Sequence, residues 1–246
     1  HIPLGIGILG NHPHHLHLGI RHVAFHQIHI GAGGSHGDGD HLKAEGLGDL
    51  EMTVIAGAGA EELDDLFLAP GQNIHRNALC GRNFEYFSED PVVSGKISAA
   101  YVNGIQSQGI GATVKHFIAN NQESNRDMVD VHANPRALRE IYLKGFEIAL
   151  QESDPWALMT SYNSVNGWFT QQNYELVTNV LRDEWGFDGM VMTDWGLKDN
   201  TPYIVKSGND LLQPGSKVEM ERILAAVKEG LVSVDEIDRN VRRILE

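Results

Sequence analysis

One acidic residue stands where a short apolar stretch of the sequence ends. Asp194 directly follows Met190–Thr193, a run typical of a buried strand, and Trp195 comes next. A carboxylate delivered to a strand end can act as a nucleophile, a general base or a metal ligand. The tryptophan beside it offers an aromatic wall for the apolar face of a sugar ring. The alternative is structural, because an aspartate here can also cap a following helix.

Two basic side chains, Lys115 and His116, end a second apolar stretch, Ala112–Phe117. Successive residues of a regular strand point to opposite faces of the sheet. If both side chains reach one ligand, the strand must therefore bulge at this point. The structural alternatives are an ion pair for Lys115 and a hydrogen-bonded core position for His116.

Two further segments carry polar groups that suit the same kind of ligand. Arg82 lies in the sequence GRNFEYFSED, where its guanidinium could bind vicinal hydroxyls or a carboxylate. Three acids of that segment could instead hold it in a structural ion pair, namely Glu85, Glu89 and Asp90. Tyr162 ends a third apolar stretch, and its phenol can both donate and accept a hydrogen bond. A core tyrosine with a solvated hydroxyl is the alternative.

Together these groups favour a neutral ligand rich in hydroxyls, such as a sugar. They form neither a phosphate-binding loop nor a metal-ligand cluster, so no cofactor or metal is predicted. A pair of carboxylates in such a site would give glycoside chemistry. The 19 basic and 33 acidic residues leave a net charge of −14, which disfavours nucleic acid and anionic membranes as partners.

The remaining composition narrows the class of protein further. No apolar run approaches the roughly 20 residues that a membrane helix needs. The single cysteine, Cys80, excludes an intramolecular disulfide framework and a cysteine-based zinc site. Ile2–Leu9 is apolar but lacks a basic flank and a small-residue cleavage site, so no signal peptide is predicted. Periplasmic, secreted and cytoplasmic locations all fit the sequence.

Strand and helix patterns alternate from about residue 64 onward, which predicts an α/β fold with a parallel sheet. Five strands are expected, at Leu66–Ala69, Ala112–Phe117, Ala157–Tyr162, Met190–Thr193 and Asp210–Leu212. Four of them run directly into polar loops, as in barrels whose functional groups gather at the carboxyl ends of the strands. Five strands would form only the later part of a (β/α)8 TIM-type barrel; an open doubly wound sheet is the alternative.

Four amphipathic helices are expected in this region. Asn134 followed by Pro135 is predicted to begin the first, and Gly186 to end the second. A capping box of Ser233 and Glu236 is predicted to begin the last. The expected apolar faces are, in order, Leu138, Ile141, Tyr142 and Ile148; Leu176, Val177, Val180 and Leu181; Val218, Ile223, Leu224 and Val227; and Ile237, Val241 and Ile244.

Residues 1–62 differ in composition from the rest of the chain and contain no recognisable domain. Their first 60 positions hold ten of the 13 histidines and 13 of the 27 glycines. Clustered imidazoles can chelate a metal, but no carboxylate or fixed spacing defines a site here. The cluster consists of His12, His14, His15 and His17. The alternatives are a segment whose sequence specifies no definite structure and a misread frame upstream of a genuine coding region.

The order and spacing of six motifs resemble the β-glucosidase type of family 3 glycoside hydrolases. The motifs are LAPGQNIHR, CGRNFEYFSEDP, GATVKHFIANNQESNR, MTSYNSVNG, GFDGMVMTDWG and LLQPG. The resemblance implies a barrel domain over residues 63–246, a carbohydrate substrate, and hydrolysis of terminal β-D-glucosyl residues with retention of configuration. It implies Asp194 as the nucleophile. The substrate-binding residues that it implies are Arg82, Lys115, His116, Met159, Tyr162 and Trp195.

The sequence also departs from that family's pattern. A bacterial branch carries its His-Asp acid/base on a loop like KHFPGHG, where this chain has KHFIANNQESNR, so that branch is not expected. In β-glucosidase-type members the acid/base glutamate lies on a second, α/β-sandwich domain, and a further domain or partner chain is expected to supply it. Residues 1–62 show no match to the family's DGPHG-like sugar loop, and neither Asp38 nor Asp40 is assigned its role.

These departures predict that the chain alone is nearly inactive, since general acid catalysis contributes about 10²–10⁴-fold. It is also expected to be poorly soluble, because an incomplete barrel exposes sheet edges and core. A β-xylosidase of the same family is the closest alternative activity. A non-catalytic sugar-binding fragment and a His-rich metal-binding protein are the alternatives from other classes.

Overall fold

The structure, a computed structural model, describes residues 66–196 and 200–245. The strands of this part of the chain are β1 (Leu66–Phe67), β2 (Gly111–Phe117), β3 (Asp130–Val131), β4 (Ala157–Thr160), β5 (Ser164–Val165), β6 (Trp168–Phe169) and β7 (Met190–Met192). The main sheet has the order β1-β2-β4-β7, and all its neighbours are parallel. A small second sheet has the order β3-β5-β6.

The helices alternate with the strands of the main sheet, which confirms the predicted α/β class. The α-helices of the described ranges are α1 (Pro91–Ser107), α2 (Pro135–Ala137), α3 (Lys144–Ser153), α4 (Thr201–Ser207), α5 (Lys217–Lys228) and α6 (Val234–Leu245). Two π-helical segments span Leu138–Tyr142 and Glu175–Glu184, and 3₁₀ turns span Asn83–Glu85, Arg126–Met128 and Thr170–Gln172. None of these helices combines the length and apolar character needed to cross a membrane.

Four of the five predicted strands are present in the main sheet. The fifth, at Asp210–Leu212, is wrong as a full strand, because that segment contributes a single bridge between Met192 and Leu211. The described residues therefore form a sheet of four strands with two isolated bridges, Gly71 to Lys115 and Met192 to Leu211, and barrel closure is not shown.

Short polar signals begin and end the helices as the sequence predicts. The Asn134 side chain accepts from the backbone N–H of Ala137 at 2.8 Å. The Ser233 hydroxyl accepts from Glu236 N at 3.2 Å, while the Glu236 carboxylate accepts from Ser233 N at 2.7 Å. Gly186, with φ +73, follows the π-helix Glu175–Glu184. These caps satisfy backbone groups that the helices themselves leave unpaired.

The two faces of the main sheet have different roles. Val114, Leu158 and Val191 are in register on neighbouring strands, and all are 0% exposed beneath the helices. Burying side chains of this size contributes about 1.5–3 kcal/mol each. The next residues along each strand, Lys115, Met159 and Met192, are also in register, and alternation turns them to the opposite face. The polar strand ends emerge on this second face.

Helices α1 and α3 cross closely at two glycines. A Cβ atom at Gly95 would lie 2.8 Å from the carbonyl oxygen of Gly145 and 2.8 Å from the Cβ of Ile148. A Cβ atom at Gly145 would meet the Gln72 side chain at 2.3 Å. A larger residue at Gly95 would therefore force α1 and α3 apart, and one at Gly145 would displace the Gln72 side chain.

The predicted apolar face of the helix that begins at Pro135 is wrong in part, although Leu138 and Tyr142 pack against the buried core. Ile141 is 40% exposed, whereas Leu143 and Phe146 are 2% and 1% exposed. Residues 138–142 form a π-helical turn, which adds a residue to the turn and rotates the buried face.

The predicted faces of the last two helices are wrong in part. Val218, Leu224 and Val241 are 52%, 42% and 44% exposed, because these helices pack through a narrower strip. Ile223, Val227 and Ile237 belong to it, and they pack against a buried cluster of Val205, Ala226 and Val232. The face formed by Leu176, Val177, Val180 and Leu181 is buried throughout and is confirmed.

Candidate active site

The predicted site residues converge on one edge of the main sheet. Arg82 lies in the loop after β1, Lys115 and His116 end β2, Tyr162 follows β4, and Asp194 follows β7. Parallel strands place their carboxyl ends on the same edge, where loops from different parts of the chain meet. The fold therefore gathers side chains that are up to 112 positions apart in the sequence (194 − 82).

A bulge at the end of β2 turns both basic residues toward this edge, as the sequence predicts. The register of β2 against β4 shifts between Lys115 and Phe117, and the peptide bond joining Lys115 to His116 is cis. Asn73 binds the displaced backbone: its amide oxygen accepts from His116 N at 2.9 Å and its amide nitrogen donates to His116 O at 2.9 Å. A side chain thus replaces the missing strand neighbour of His116.

Asp194 is the carboxylate at the centre of the site. Its Oδ1 accepts from Trp195 N at 2.7 Å, and the Tyr162 phenol also hydrogen-bonds to it. Its Oδ2 lies 3.7 Å from Nε2 of His116. Burial raises the pKa of Asp194 above its usual 3.8, while the hydrogen bonds from Trp195 and Tyr162 oppose the rise. The capping alternative does not fit α4, whose N-cap is Asn200.

His116 is held as a neutral ring in one tautomer. Nη2 of Arg82 lies 2.9 Å from Nε2 of His116, and a guanidinium can only donate. Nε2 is therefore the acceptor, and the ring proton lies on Nδ1. Burial, followed by the positive charges of Arg82 and Lys115, holds the pKa of His116 well below 6.5. A neutral imidazole therefore does not balance the charge of Asp194.

Glu85 holds both cations of the site. Arg82 Nε donates to Glu85 Oε1, and Lys115 Nζ lies 3.6 Å from Glu85 Oε2. Burial lowers the pKa of Lys115. Of the three acids considered for Arg82, Glu89 is exposed and Asp90 caps α1 through Val92 N. Arg82 therefore forms the predicted ion pair with Glu85, and its Nη2 contacts His116. Its binding of hydroxyl groups stays a prediction.

Tyr162 lies between Asp194 and a cation that sequence reasoning does not single out. The guanidinium carbon of Arg126 is 4.5 Å from the centroid of the Tyr162 ring, within the range of a cation–π contact. Glu123 accepts from Arg126 Nη1 at 3.0 Å. Burial and the charge of Asp194 raise the pKa of Tyr162 well above 10, so the phenol stays protonated and can donate to Asp194.

A cluster of apolar side chains packs beneath the site. Met159, 2% exposed, packs in a buried cluster with Ala157, Met190 and Met192, against which the partly buried Trp195 lies. The structure therefore places Trp195 at the site and Met159 beneath it.

Three contributors to the site were missed at the sequence level: Asn73, Glu85 in its double role, and Arg126. Arg126 and Glu85 stand inside motifs that the resemblance already draws on, but their partners are distant in sequence. Within residues 66–196 and 200–245, no group of three or more His, Cys, Asp or Glu side chains is placed to hold a metal. The proposed histidine cluster at His12, His14, His15 and His17 lies outside the described residues.

A parallel sheet with a buried carboxylate, a phenol and two cations at its carboxyl edge defines an α/β protein with a strand-end site. The sequence profile of the glycosyl hydrolase family 3 N-terminal domain matches residues 50–246. The chain belongs to the family 3 glycoside hydrolases, which confirms the resemblance drawn from its motifs.

Several well-characterised proteins are similar to it. Beta-glucosidase B of Emericella nidulans is 49% identical over 183 residues, covering 74% of this chain and 22% of the relative. The exo-alpha-(1->6)-L-arabinopyranosidase of Bifidobacterium longum is 46% identical over 181 residues, covering 74% and 24%. Beta-glucosidase 3B from Thermotoga neapolitana, in complex with glucose, is 53% identical with a TM-score of 0.71, covering 73% and 26%. The chain thus spans about a quarter of the length of these relatives.

Proposed function

We propose that this chain is the glycone-binding and nucleophile-bearing part of a β-glucosidase, and that its parallel strands are the later strands of a (β/α)8 barrel. The position of Asp194 carries the proposal. Its carboxylate emerges from β7 at the edge where Lys115, His116 and Tyr162 also lie, 3.7 Å from the His116 ring. The proposed domain covers residues 63–246, and residues 1–62 remain a separate segment by prediction.

The proposed reaction has two displacements. An oxygen of Asp194 attacks the anomeric carbon of a terminal β-glucosyl residue, and the bond to the aglycone oxygen breaks as a general acid protonates that oxygen. Water then attacks the anomeric carbon of the ester, gives its proton to the same acid/base group and frees Asp194. Each step inverts the anomeric centre, so the product retains the substrate's configuration.

The acid/base group is proposed to come from a second, α/β-sandwich domain or a partner chain. With this chain alone, the first step then requires a leaving group that departs without a proton. Such a substrate separates the two contributions, because it needs Asp194 but not the acid.

The other side chains are proposed to bind the glycone. Arg82 and Lys115 can only donate, so they suit the oxygens of hydroxyl groups. His116, whose Nε2 accepts from Arg82, is proposed to contact the glycone beside them. Trp195 would pack on the C–H face of the pyranose. Met159 would act from below by holding Trp195 in place, as their shared cluster indicates.

The names of the relatives support glucose as the first choice of glycone. The similarity covers proteins named as β-glucosidases and two named as exo-arabinopyranosidases. A pyranose is common to all of these substrates, and the glycone must therefore be tested directly. A β-xylosidase is the alternative.

The test is covalent capture by 2,4-dinitrophenyl 2-deoxy-2-fluoro-β-D-glucoside, whose leaving group needs no general acid, followed by intact-protein mass spectrometry. We expect one fluoroglucosyl group per chain and none on Asp194→Asn. Asp183→Asn, an exposed aspartate on the π-helix before β7, is the matched control and should react like the original chain.

The same assay separates the alternatives. Faster capture of the corresponding xyloside or L-arabinopyranoside would transfer the proposal to that glycone. Glucose binding without any adduct would instead indicate a sugar-binding fragment, and an adduct on Asp194→Asn would remove the nucleophile assignment.

A further inference from the structure

A second group of buried charges lies beside the strand that delivers Asp194. Arg182 Nη2 donates to Asp210 Oδ2 at 2.6 Å, and Arg243 Nη1 lies 3.4 Å from Asp210 Oδ1. The Asp210 side chain is 0% exposed, that of Arg182 4% and that of Arg243 22%. We call these three residues the Asp210 cluster.

The cluster is bonded directly to the backbone of β7. Val191 N donates to Asp210 Oδ2 at 2.8 Å, and Asp210 N donates to Val191 O at 2.7 Å. Asp210 thus supplies both the acceptor and the donor that a neighbouring strand would otherwise provide. This explains why the segment predicted as a fifth strand forms a single bridge and still holds β7.

The residues after Asp210 hold the chain on both sides of Asp194. Thr193 N donates to Leu211 O at 3.0 Å, and Gln213 N donates to the Thr193 hydroxyl at 2.8 Å. Beyond Asp194, Gly196 N donates to Gln213 O at 3.2 Å. The position of the carboxylate along the sheet edge is therefore set by the segment that Asp210 begins.

Arg182 holds the other end of β7. Its guanidinium donates to Phe187 O at 3.0 Å and to Gly189 O, in the turn that leads into the strand. Burial lowers the pKa of Arg182 to about 10 and raises that of Asp210, and each opposite charge counters the shift of the other. Arg182 and Asp210 therefore each stay charged because the opposite charge lies beside them.

We propose that Asp210 is a positioning residue for the Asp194 nucleophile, and that Arg243 couples helix α6 to the same strand. The inference rests on the proposed function of Asp194. The cluster touches no substrate and acts through the backbone from Val191 to Gly196. Reacting atoms must be aligned closely, and a misplacement of about 1 Å can cost about 10²-fold in rate.

The test compares the kinetics of covalent capture by the fluoroglucoside across cluster variants of the full chain. For Asp210→Asn we expect the capture rate constant kinact to fall about 10²-fold with Ki unchanged. Arg243→Gln leaves the buried Arg182–Asp210 pair intact, and we expect about a tenfold fall. Arg243→Lys should restore part of it, while Arg242→Gln, on the exposed side of the same helix, should match the original chain.

A purely structural role gives a different pattern. Lower stability with an unchanged kinact for folded Arg243→Gln would overturn the positioning role, as would equal values for Arg243→Gln and Arg243→Lys. A rise in Ki with kinact unchanged would assign the cluster to binding rather than to positioning the nucleophile, and would also overturn it.

Hydrogen exchange separates this proposal from the function on which it rests. In the peptide spanning 190–196, Arg243→Gln should exchange faster than Arg242→Gln at equal global stability. If the original chain captures no sugar, the proposed function fails. The exchange rates of Arg243→Gln and Arg242→Gln then decide by themselves whether Arg243 couples α6 to β7. Equal exchange in both variants would overturn it.

Discussion

Asp194 and Asp210 are two buried aspartates at β7: Asp194 follows the strand, and Asp210 is bonded to its backbone. Their surroundings differ in the charges that they contact. Asp210, with a side chain 0% exposed, accepts from Val191 N and Arg182, with Arg243 3.4 Å away. Asp194, with a side chain 10% exposed, accepts from a backbone N–H and a phenol and faces a neutral imidazole. Two arginines thus balance the charge of Asp210, whereas the contacts of Asp194 just described are with neutral groups.

This difference is the one we expect between a structural charge and the proposed nucleophile. The cations nearest the site, Arg82 and Lys115, are held by Glu85, so they act on Asp194 only from a distance. A buried carboxylate with incomplete neutralisation costs stability and remains available to react, as perturbed groups at active sites do. A buried ion pair whose charges balance, such as Arg182 and Asp210, instead joins elements of the fold. Each prediction below tests one side of this contrast.

Replacing Asp194 by alanine should have the largest effect on activity and almost none on stability. We expect turnover of a dinitrophenyl β-glucoside to fall about 10⁴-fold, as for loss of other nucleophiles. The free energy of unfolding in urea should stay equal or rise, because burial disfavours this charge. A marked loss of stability would show that Asp194 is structural instead.

Replacing Asp210 by alanine should have the opposite result. The change leaves Arg182 buried without its partner, and we expect a loss of about 3–5 kcal/mol in the free energy of unfolding. Combining Asp210→Leu with Arg182→Met should recover most of that loss, because no unpaired charge then stays buried. Equal stability of the single and double variants would contradict a pair whose charges balance.

Replacing Arg82 by lysine should weaken sugar binding while the fold remains intact. A lysine cannot bind Glu85 and a glycone hydroxyl through one rigid fork, and hydrogen bonds to charged groups are worth about 1.5–3 kcal/mol. Calorimetry with glucose should show an affinity about tenfold to a hundredfold lower. Arg76→Lys, an exposed arginine of the same loop, is the control, and equal weakening in both would remove Arg82 from the site.

The smallest expected effect is the contribution of Asp194 to the pH dependence of the free energy of unfolding. Because burial raises its pKa above 3.8 in the folded chain, the folded state binds this proton more tightly than the unfolded state. Its contribution to stability is therefore present below pH 3.8 and is lost as pH rises through the raised value. Urea titrations of the original chain and Asp194→Asn should diverge across that window, and parallel curves would contradict the shift.

The ends of β2, β4 and β7 could be predicted because a candidate site residue stands at or directly after each of these apolar runs. The sequence also allowed the bulge at Lys115 and His116 to be predicted, since regular alternation could not bring both to one ligand. The family and the α/β class follow from motifs whose order is specific. These features are local, and short-range rules describe them well.

The remaining features depend on contacts between distant residues. The π-helical turn at 138–142 leaves no trace in the apolar period, so Ile141 was expected inside. Arg126 reaches Tyr162, and Glu85 reaches Lys115, only through the paths of their loops. The role of Asp210 was hidden because its side chain, rather than a strand, pairs with β7.

The most direct test of the account is to locate the sugar after capture. The fluoroglucosyl adduct would be digested with pepsin at low pH, where the ester survives, and the modified residue identified by tandem mass spectrometry. We predict a single ester on Asp194, with Asp210 unmodified. An ester on Glu85, Asp188 or Asp210, with Asp194 free, would contradict the account.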